Sequence, residues 1–147
     1  MKRDQRPTPV TTLMWMVLSL TAWNAIRLGA SIADWDVLLE FAPRPGPLYV
    51  ALSAAFWTLA GAALWITIRR RSPRARAAAA AFALGYAAWW WADRLFLQAP
   101  RPNLIFALAA TFVSLIFTAF LLLHPRTRAY FQPRETYEQT PSDQHPA

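Results

Sequence analysis

The stretch Arg69-Arg70-Arg71-Ser72-Pro73-Arg74-Ala75-Arg76 lies near the middle of this 147-residue chain and contains five of its fifteen basic residues. Two long apolar runs precede it and two follow it. Short loops rich in Lys and Arg stay on the cytoplasmic side of a membrane. We therefore expect this basic hinge to divide the chain into two similar halves and to set the direction in which the chain crosses a membrane.

The composition is that of a membrane protein. Hydrophobic residues make up 56% of the chain and charged residues only 16%, with eight Trp and nine Phe. A soluble core of this size does not need so much apolar surface, so a bilayer is the expected surrounding. The net charge of +7 comes from bases at the ends of the apolar runs. That placement is typical of topology signals, and we expect no nucleic acid as a partner.

The apolar runs predict an all-α integral membrane protein with four transmembrane helices, arranged as two tandem-repeated helical hairpins. Each run of about 20 residues reaches about 30 Å as a helix, enough for the hydrocarbon core. The predicted segments are a basic cytoplasmic tail (1–11), a first helical hairpin (12–68, with spans at about 12–32 and 48–68), the basic cytoplasmic hinge (69–76), a second helical hairpin (77–123, with spans at about 77–97 and 104–123) and a disordered cytoplasmic tail (124–147).

The basic residues predict that both termini are cytoplasmic. The amino-terminal tail carries three, the hinge five and the start of the last tail two, whereas each outer loop carries one, Arg44 or Arg101. Ser31-Ile32-Ala33 resembles a signal-peptide cleavage site, but the run before it is longer than such peptides require and contains Arg27, so we expect it to be retained. The expected location is the cell (plasma or inner) membrane of a bacterium, crossed several times.

An internal repeat supports the two-hairpin interpretation. Trp23-Asn24-Ala25-Ile26-Arg27-Leu28 aligns with Trp90-Trp91-Ala92-Asp93-Arg94-Leu95, and both outer loops contain Ala-Pro-Arg-Pro. The spans that follow align at seven positions, from Leu48 with Leu104 to Ala63 with Ala119. Because each copy has two spans, the symmetry axis would lie along the membrane normal.

Three ionisable residues lie inside the predicted spans, namely Arg27, Asp93 and Arg94. Three interpretations remain open: the arginines extend to lipid headgroups, Arg27 and Asp93 form an interhelical ion pair, or the outer arginines form an anion site. Trp23 and Trp90 each precede an arginine by four residues, so the spacing allows a cation-π contact in both copies. The alternative, which we favour for most of the tryptophans, is an aromatic belt at the membrane interface. The candidate outer anion or headgroup site comprises Arg27, Arg44, Arg94, Arg101, Trp23 and Trp90.

The inventory of reactive side chains argues against an enzyme. The two histidines, His124 and His145, follow the last span, and the chain has no Cys, so we expect no catalytic set, metal or cofactor. We expect a non-enzymatic accessory or scaffold subunit that binds membrane lipid, another membrane protein or a second copy of itself. The alternative is a small transporter or channel with an arginine-lined outer vestibule for an anionic ligand.

Overall fold

The structure is a computed structural model that describes residues 6–41, 45–97 and 103–132. All regular secondary structure in these ranges is helical. The helices are α1 (Thr8–Ala33), α2 (Trp35–Phe41), α3 (Pro47–Arg69), α4 (Ala75–Phe96), α5 (Leu104–Leu123) and α6 (Pro125–Phe131). The four long helices correspond to the four predicted spans, with ends that differ by at most four residues.

Local sequence explains where the helices begin. Prolines occupy the first turns of α1, α3 and α6, where a missing N–H breaks no helical hydrogen bond. Gly46, at φ 81°, takes a left-handed conformation immediately before α3. Asn103 does the same before α5 at φ 58°, which Asn tolerates better than most residues. Arg71, at φ 54°, turns the chain from α3 towards α4 within the basic hinge.

In the described part of the chain, three helices are long and apolar enough to cross a membrane: α1, α3 and α5. Helix α4 has a comparable 22 residues. It contains an alanine tract together with Arg76, Asp93 and Arg94, and these residues make it less hydrophobic than its neighbours. Length and composition therefore support three crossings, and the fourth depends on where the polar side chains of α4 lie.

The long helices contact one another in a closed sequence. Helix α1 packs most extensively on α3, α3 contacts α4, α4 contacts α5, and α5 contacts α1. Helices α1 and α3 approach closely at Gly61, where an added Cβ would overlap the Thr21 hydroxyl and lie 3.2 Å from the Thr21 Cβ. A glycine is therefore required for this packing, as is common where membrane helices meet.

The tightest core lies at one end of the molecule, which we call the hinge end because it contains the basic hinge. Every long helix and α6 contribute to it. Its buried side chains are Val10, Leu13, Met14, Val17, Leu64, Ile68, Ala75, Ala79, Leu121, Leu122 and Phe131. The opposite end, formed by the last turns of α1 and α4 and the first turns of α3 and α5, is called the distal end. The two ends are therefore built differently.

Two short helices fall in segments that the sequence analysis treated as a loop and a tail. Helix α2 lies in the predicted first outer loop. Helix α6 occupies the start of the tail 124–147 that was expected to be disordered, and it packs on α5 and α1. The His124 Nδ1 accepts a hydrogen bond from the Arg126 backbone N–H at 3.2 Å, and Phe131 is only 3% exposed. Burial of the Phe131 ring stabilises a helix in a segment whose polar composition predicted disorder. Residues 133–147 lie outside the described residues.

Candidate functional site

A cluster of polar and aromatic side chains from three helices lies at the distal end. We call it the distal cluster, and it consists of Arg27 from α1, Tyr49 from α3, and Trp89 and Asp93 from α4. The Trp89 indole N–H donates a hydrogen bond of 3.1 Å to the Tyr49 hydroxyl. The Tyr49 hydroxyl in turn donates to the Asp93 carboxylate. Arg27 places its guanidinium carbon 5.4 Å from the centre of the Trp89 ring. Tyr49 and Trp89 thus connect the two ionisable groups.

Burial makes these contacts necessary. Asp93 is only 7% exposed, so its carboxylate has little access to water and depends on protein partners. A hydrogen bond to an ionised acceptor is stronger than one between neutral groups. The cation-π contact of Arg27 with Trp89 adds about 0.5–2 kcal/mol where water is scarce. The distal cluster therefore joins α1, α3 and α4 through polar contacts at the end where the apolar core is thinnest.

The structure brings the predicted pair Arg27 and Asp93 into one cluster. Trp89 contacts Arg27, and Tyr49 contacts both Trp89 and Asp93, while the direct ion pair of Arg27 with Asp93 stays a prediction. Both tyrosine and tryptophan were missed as members of the site. The available signal was weak: Tyr49 sits one residue beyond a predicted span start, and Trp89 is one of three consecutive tryptophans.

The second predicted arginine behaves differently from the first. Arg94 lies over the ring of Trp90, with 5.3 Å between the guanidinium carbon and the ring centre, as the spacing of four residues predicts. Arg27 stacks on Trp89 of another helix, whereas Trp23, its expected partner, is 58% exposed. The remaining residues of the candidate anion site, Arg44 and Arg101, lie outside the described residues.

An aromatic group continues from the distal cluster towards the middle of the helices. Trp57 of α3 packs edge-on against Phe82 and Tyr86 of α4, with ring centres 5.5 and 5.0 Å apart. Beside it, Asn24 is 1% exposed and its side-chain N–H₂ donates to the Leu20 carbonyl at 2.9 Å and to the Tyr86 hydroxyl at 3.5 Å. Asn24 is the buried polar residue that ties α1 to α4 at mid-height.

An apolar cleft of about 560 Å³ opens on the other side of α4, between α1, α4 and α5. Its lining consists of aliphatic, small and aromatic side chains with several hydroxyls: Thr12, Trp15, Met16, Ser19, Leu20, Ala83, Tyr86, Ala87, Trp90, Ala107, Ala110, Thr111, Ser114, Leu115 and Thr118. This volume lies within the roughly 300–1,000 Å³ of small-molecule sites. The cleft was not predicted from the sequence.

Within residues 6–41, 45–97 and 103–132, no three His, Asp or Glu side chains lie close enough together to hold a metal ion. The distal cluster presents the Arg27 guanidinium, the Asp93 carboxyl group and the rings of Tyr49 and Trp89. The cleft presents a largely apolar surface.

Comparison of the chain with protein-family models, with curated proteins and with solved structures found no match.

Proposed function

We propose that all four long helices cross a membrane as two tandem hairpins, with both termini and the basic hinge on the cytoplasmic side. The orientation of α4 supports this. Its exposed side chains repeat at helical spacing and are alanine, leucine or phenylalanine: Ala77, Ala81, Leu84, Ala88, Ala92, Leu95 and Phe96. The buried Asp93 faces the other helices. A helix that turns its acid inward and its aliphatic side outward can lie against lipid despite a modest mean hydropathy.

The outer surfaces of α3 and α5 fit the same proposal. Large apolar side chains cover them, including Leu52 and Phe56 on α3 and Phe112 and Ile116 on α5, each more than 60% exposed. Ile105 is 84% exposed. Apolar patches of this extent on a monomer in water would be an aggregation hazard, whereas a bilayer covers them.

Within that membrane setting, we propose that the protein is a non-enzymatic accessory or scaffold subunit that binds lipid or another membrane protein. The observation that carries the proposal is the apolar cleft, which combines a ligand-sized volume with a lining that has no acid or base. A surface of this kind binds by shape and apolar contact. Partners consistent with it are membrane lipid, a different membrane protein and a second copy of the chain.

Labelling of introduced cysteines tests the topology, since the natural chain has no Cys to interfere. We expect Asp36→Cys to react with an impermeant thiol reagent in intact cells and Ser72→Cys to react only after lysis. Both variants place the thiol outside the four long helices, and labelling after lysis measures how accessible each position is in itself. Labelling of position 72 in intact cells would contradict four crossings.

Affinity purification in a mild detergent tests the binding role. A stoichiometric protein partner or retained lipid is the expected result, and the matched comparison is the same purification after filling the cleft by Ala110→Trp. A protein that purifies alone, stripped of lipid and equally stable in every lipid tested, would contradict a binding role.

The second candidate is a small transporter or channel with an arginine-lined outer vestibule. The observation in its favour is that Arg27 and Arg94 both lie near the distal end, each only partly exposed and stacked on tryptophan. Flux of a small anion into proteoliposomes, lost in Arg27→Gln and in Arg94→Gln, would favour this candidate over the binding subunit.

A further inference from the structure

We infer that the cleft between α1, α4 and α5 holds one acyl chain of an anionic phospholipid from the outer leaflet, with the lipid phosphate beside Arg94. The inference rests on the proposed crossing of the membrane by all four long helices and gives the binding role a defined ligand class.

Arg94 belongs to the side of α4 that faces the cleft. Ala83, Ala87 and Trp90 line the cleft, and Arg94 follows them at the same spacing of three to four residues. Residues at such spacing share one face of a helix. Arg94 therefore lies one turn beyond Trp90, at the distal mouth of the cleft, two residues before the end of α4. A guanidinium at the mouth of an apolar cleft complements a phosphate attached to an apolar chain.

The cleft is long enough for one acyl chain. Ala107 and Thr118 mark its extent along α5, and eleven residues of helix measure about 16 Å. The hydrocarbon core of a bilayer is about 30 Å thick, so each leaflet contributes about 15 Å. Because Ala107 is the fourth of the 20 residues of α5 and Thr118 is the fifteenth, the cleft begins close to the proposed outer boundary and extends past the middle of the helix.

The hydroxyls that line the cleft do not make it polar. Thr111 donates its hydroxyl hydrogen to the Ala107 carbonyl at 2.9 Å, and Thr118 donates to the Ser114 carbonyl at 2.8 Å. Thr12 donates to the Thr8 carbonyl at 3.1 Å. These donors are satisfied within their own helices, so they require no polar ligand. Apart from the Ser19 and Ser114 hydroxyls, the cleft therefore presents mainly methyl groups, methylenes and rings, which suit a hydrocarbon chain.

Helices α4 and α5 are in less extensive contact than α1 and α3, where Gly61 permits a close approach at Thr21. The space that remains beside α4 and α5 is filled by the surrounding solvent, which in a bilayer is lipid.

The test uses the full chain in a mild detergent, with phosphatidylglycerol and phosphatidylcholine of identical acyl chains as the probes. Native mass spectrometry counts bound lipid, and thermal unfolding reports its effect. For the natural chain we expect about one tightly held phosphatidylglycerol per protein and an increase in Tm of a few degrees, as linkage requires for a ligand that binds the folded state. Phosphatidylcholine should bind less and raise the Tm less.

Two pairs of variants separate the acyl chain from the headgroup. Ala110→Trp fills the cleft, whereas Ala109→Trp adds the same ring to the adjacent exposed position of α5 outside it. We expect the lipid adduct and the Tm increase to disappear only in Ala110→Trp. Arg94→Ala should remove the preference for phosphatidylglycerol, and Arg69→Ala, at the hinge end, should preserve it. Far-ultraviolet circular dichroism identifies a variant that fails to fold. If Ala110→Trp fails to fold, the comparison of Arg94→Ala with Arg69→Ala decides whether the lipid binds as inferred.

Equal lipid binding by Ala110→Trp and Ala109→Trp would overturn the inference. So would a change from dimer to monomer in Ala110→Trp with lipid binding unaltered, which would assign the cleft to a second copy. If the inference fails in either way while Asp36→Cys and Ser72→Cys label as expected, the crossing of the membrane stands and only the lipid assignment falls.

Discussion

The contact between Gly61 and Thr21 leads to the sharpest prediction about stability, because the chain has three helical glycines in three different surroundings. A Cβ added at Gly61 would overlap the Thr21 hydroxyl. At Gly85 it would meet the Trp57 ring at an ordinary 3.6 Å, and at Gly29 it would meet nothing within 4 Å. The same chemical change, glycine to alanine, therefore has a different steric effect in Gly61→Ala, Gly85→Ala and Gly29→Ala.

The expected magnitudes follow from two opposing effects. Replacing glycine by alanine inside a helix stabilises it by up to about 1 kcal/mol. Overpacking a close contact costs typically about 1–3 kcal/mol. Thr21 cannot easily move aside, because its hydroxyl is bonded to the Val17 carbonyl at 2.7 Å and its Cβ is part of the facing helix. We expect Gly61→Ala to lower the free energy of unfolding by about 1–2 kcal/mol, and the other two variants to leave it unchanged or raise it slightly.

Unfolding by titration with sodium dodecyl sulfate in a mild detergent, followed by tryptophan fluorescence, measures these differences for transitions that are two-state. Thr21→Ala supplies a second check, because it removes the atom that the new Cβ would strike. Thr21→Ala combined with Gly61→Ala should be destabilised by clearly less than the sum of the two single changes. The reasoning is refuted if Gly61→Ala is as stable as Gly29→Ala, or if the two changes are additive.

Two further predictions concern the tail and the distal cluster. A chain ending at Gln132 should be as stable as the full chain. A chain ending at His124 should lose at least about 2 kcal/mol of unfolding free energy, because Phe131 is no longer buried. Equal thermal stability of the two truncated chains in detergent would mean that α6 contributes no packing energy. Arg27→Ala and Asp93→Ala should each destabilise by about 1–3 kcal/mol, and the double substitution by less than their sum. Strict additivity would exclude coupling between the two residues.

Much of the helical architecture could be predicted from the sequence because it depends on local properties. Apolar runs of about 20 residues must satisfy their backbone hydrogen bonds internally when water is absent, so they form helices. Pro47 and Asn103 mark helix starts through backbone geometry that depends on one or two residues. The contact of Trp90 with Arg94 was predictable for the same reason, since both lie on one helix. The side of the membrane that neighbouring basic residues indicate stays a prediction.

Contacts between helices were decided by the tertiary structure. Arg27 stacks on Trp89 of α4 because the rotation of α1 about its own axis directs the Arg27 side chain towards α4. That rotation is set by packing between helices, such as the contact of Thr21 with Gly61. The position of α6 depends on a pocket that several helices build for Phe131. The cleft beside Trp90 exists because α5 does not close on α4 and α1. Spacing along one helix is fixed by its 3.6-residue period, whereas the fit between helices depends on the shapes of side chains that are distant in the sequence.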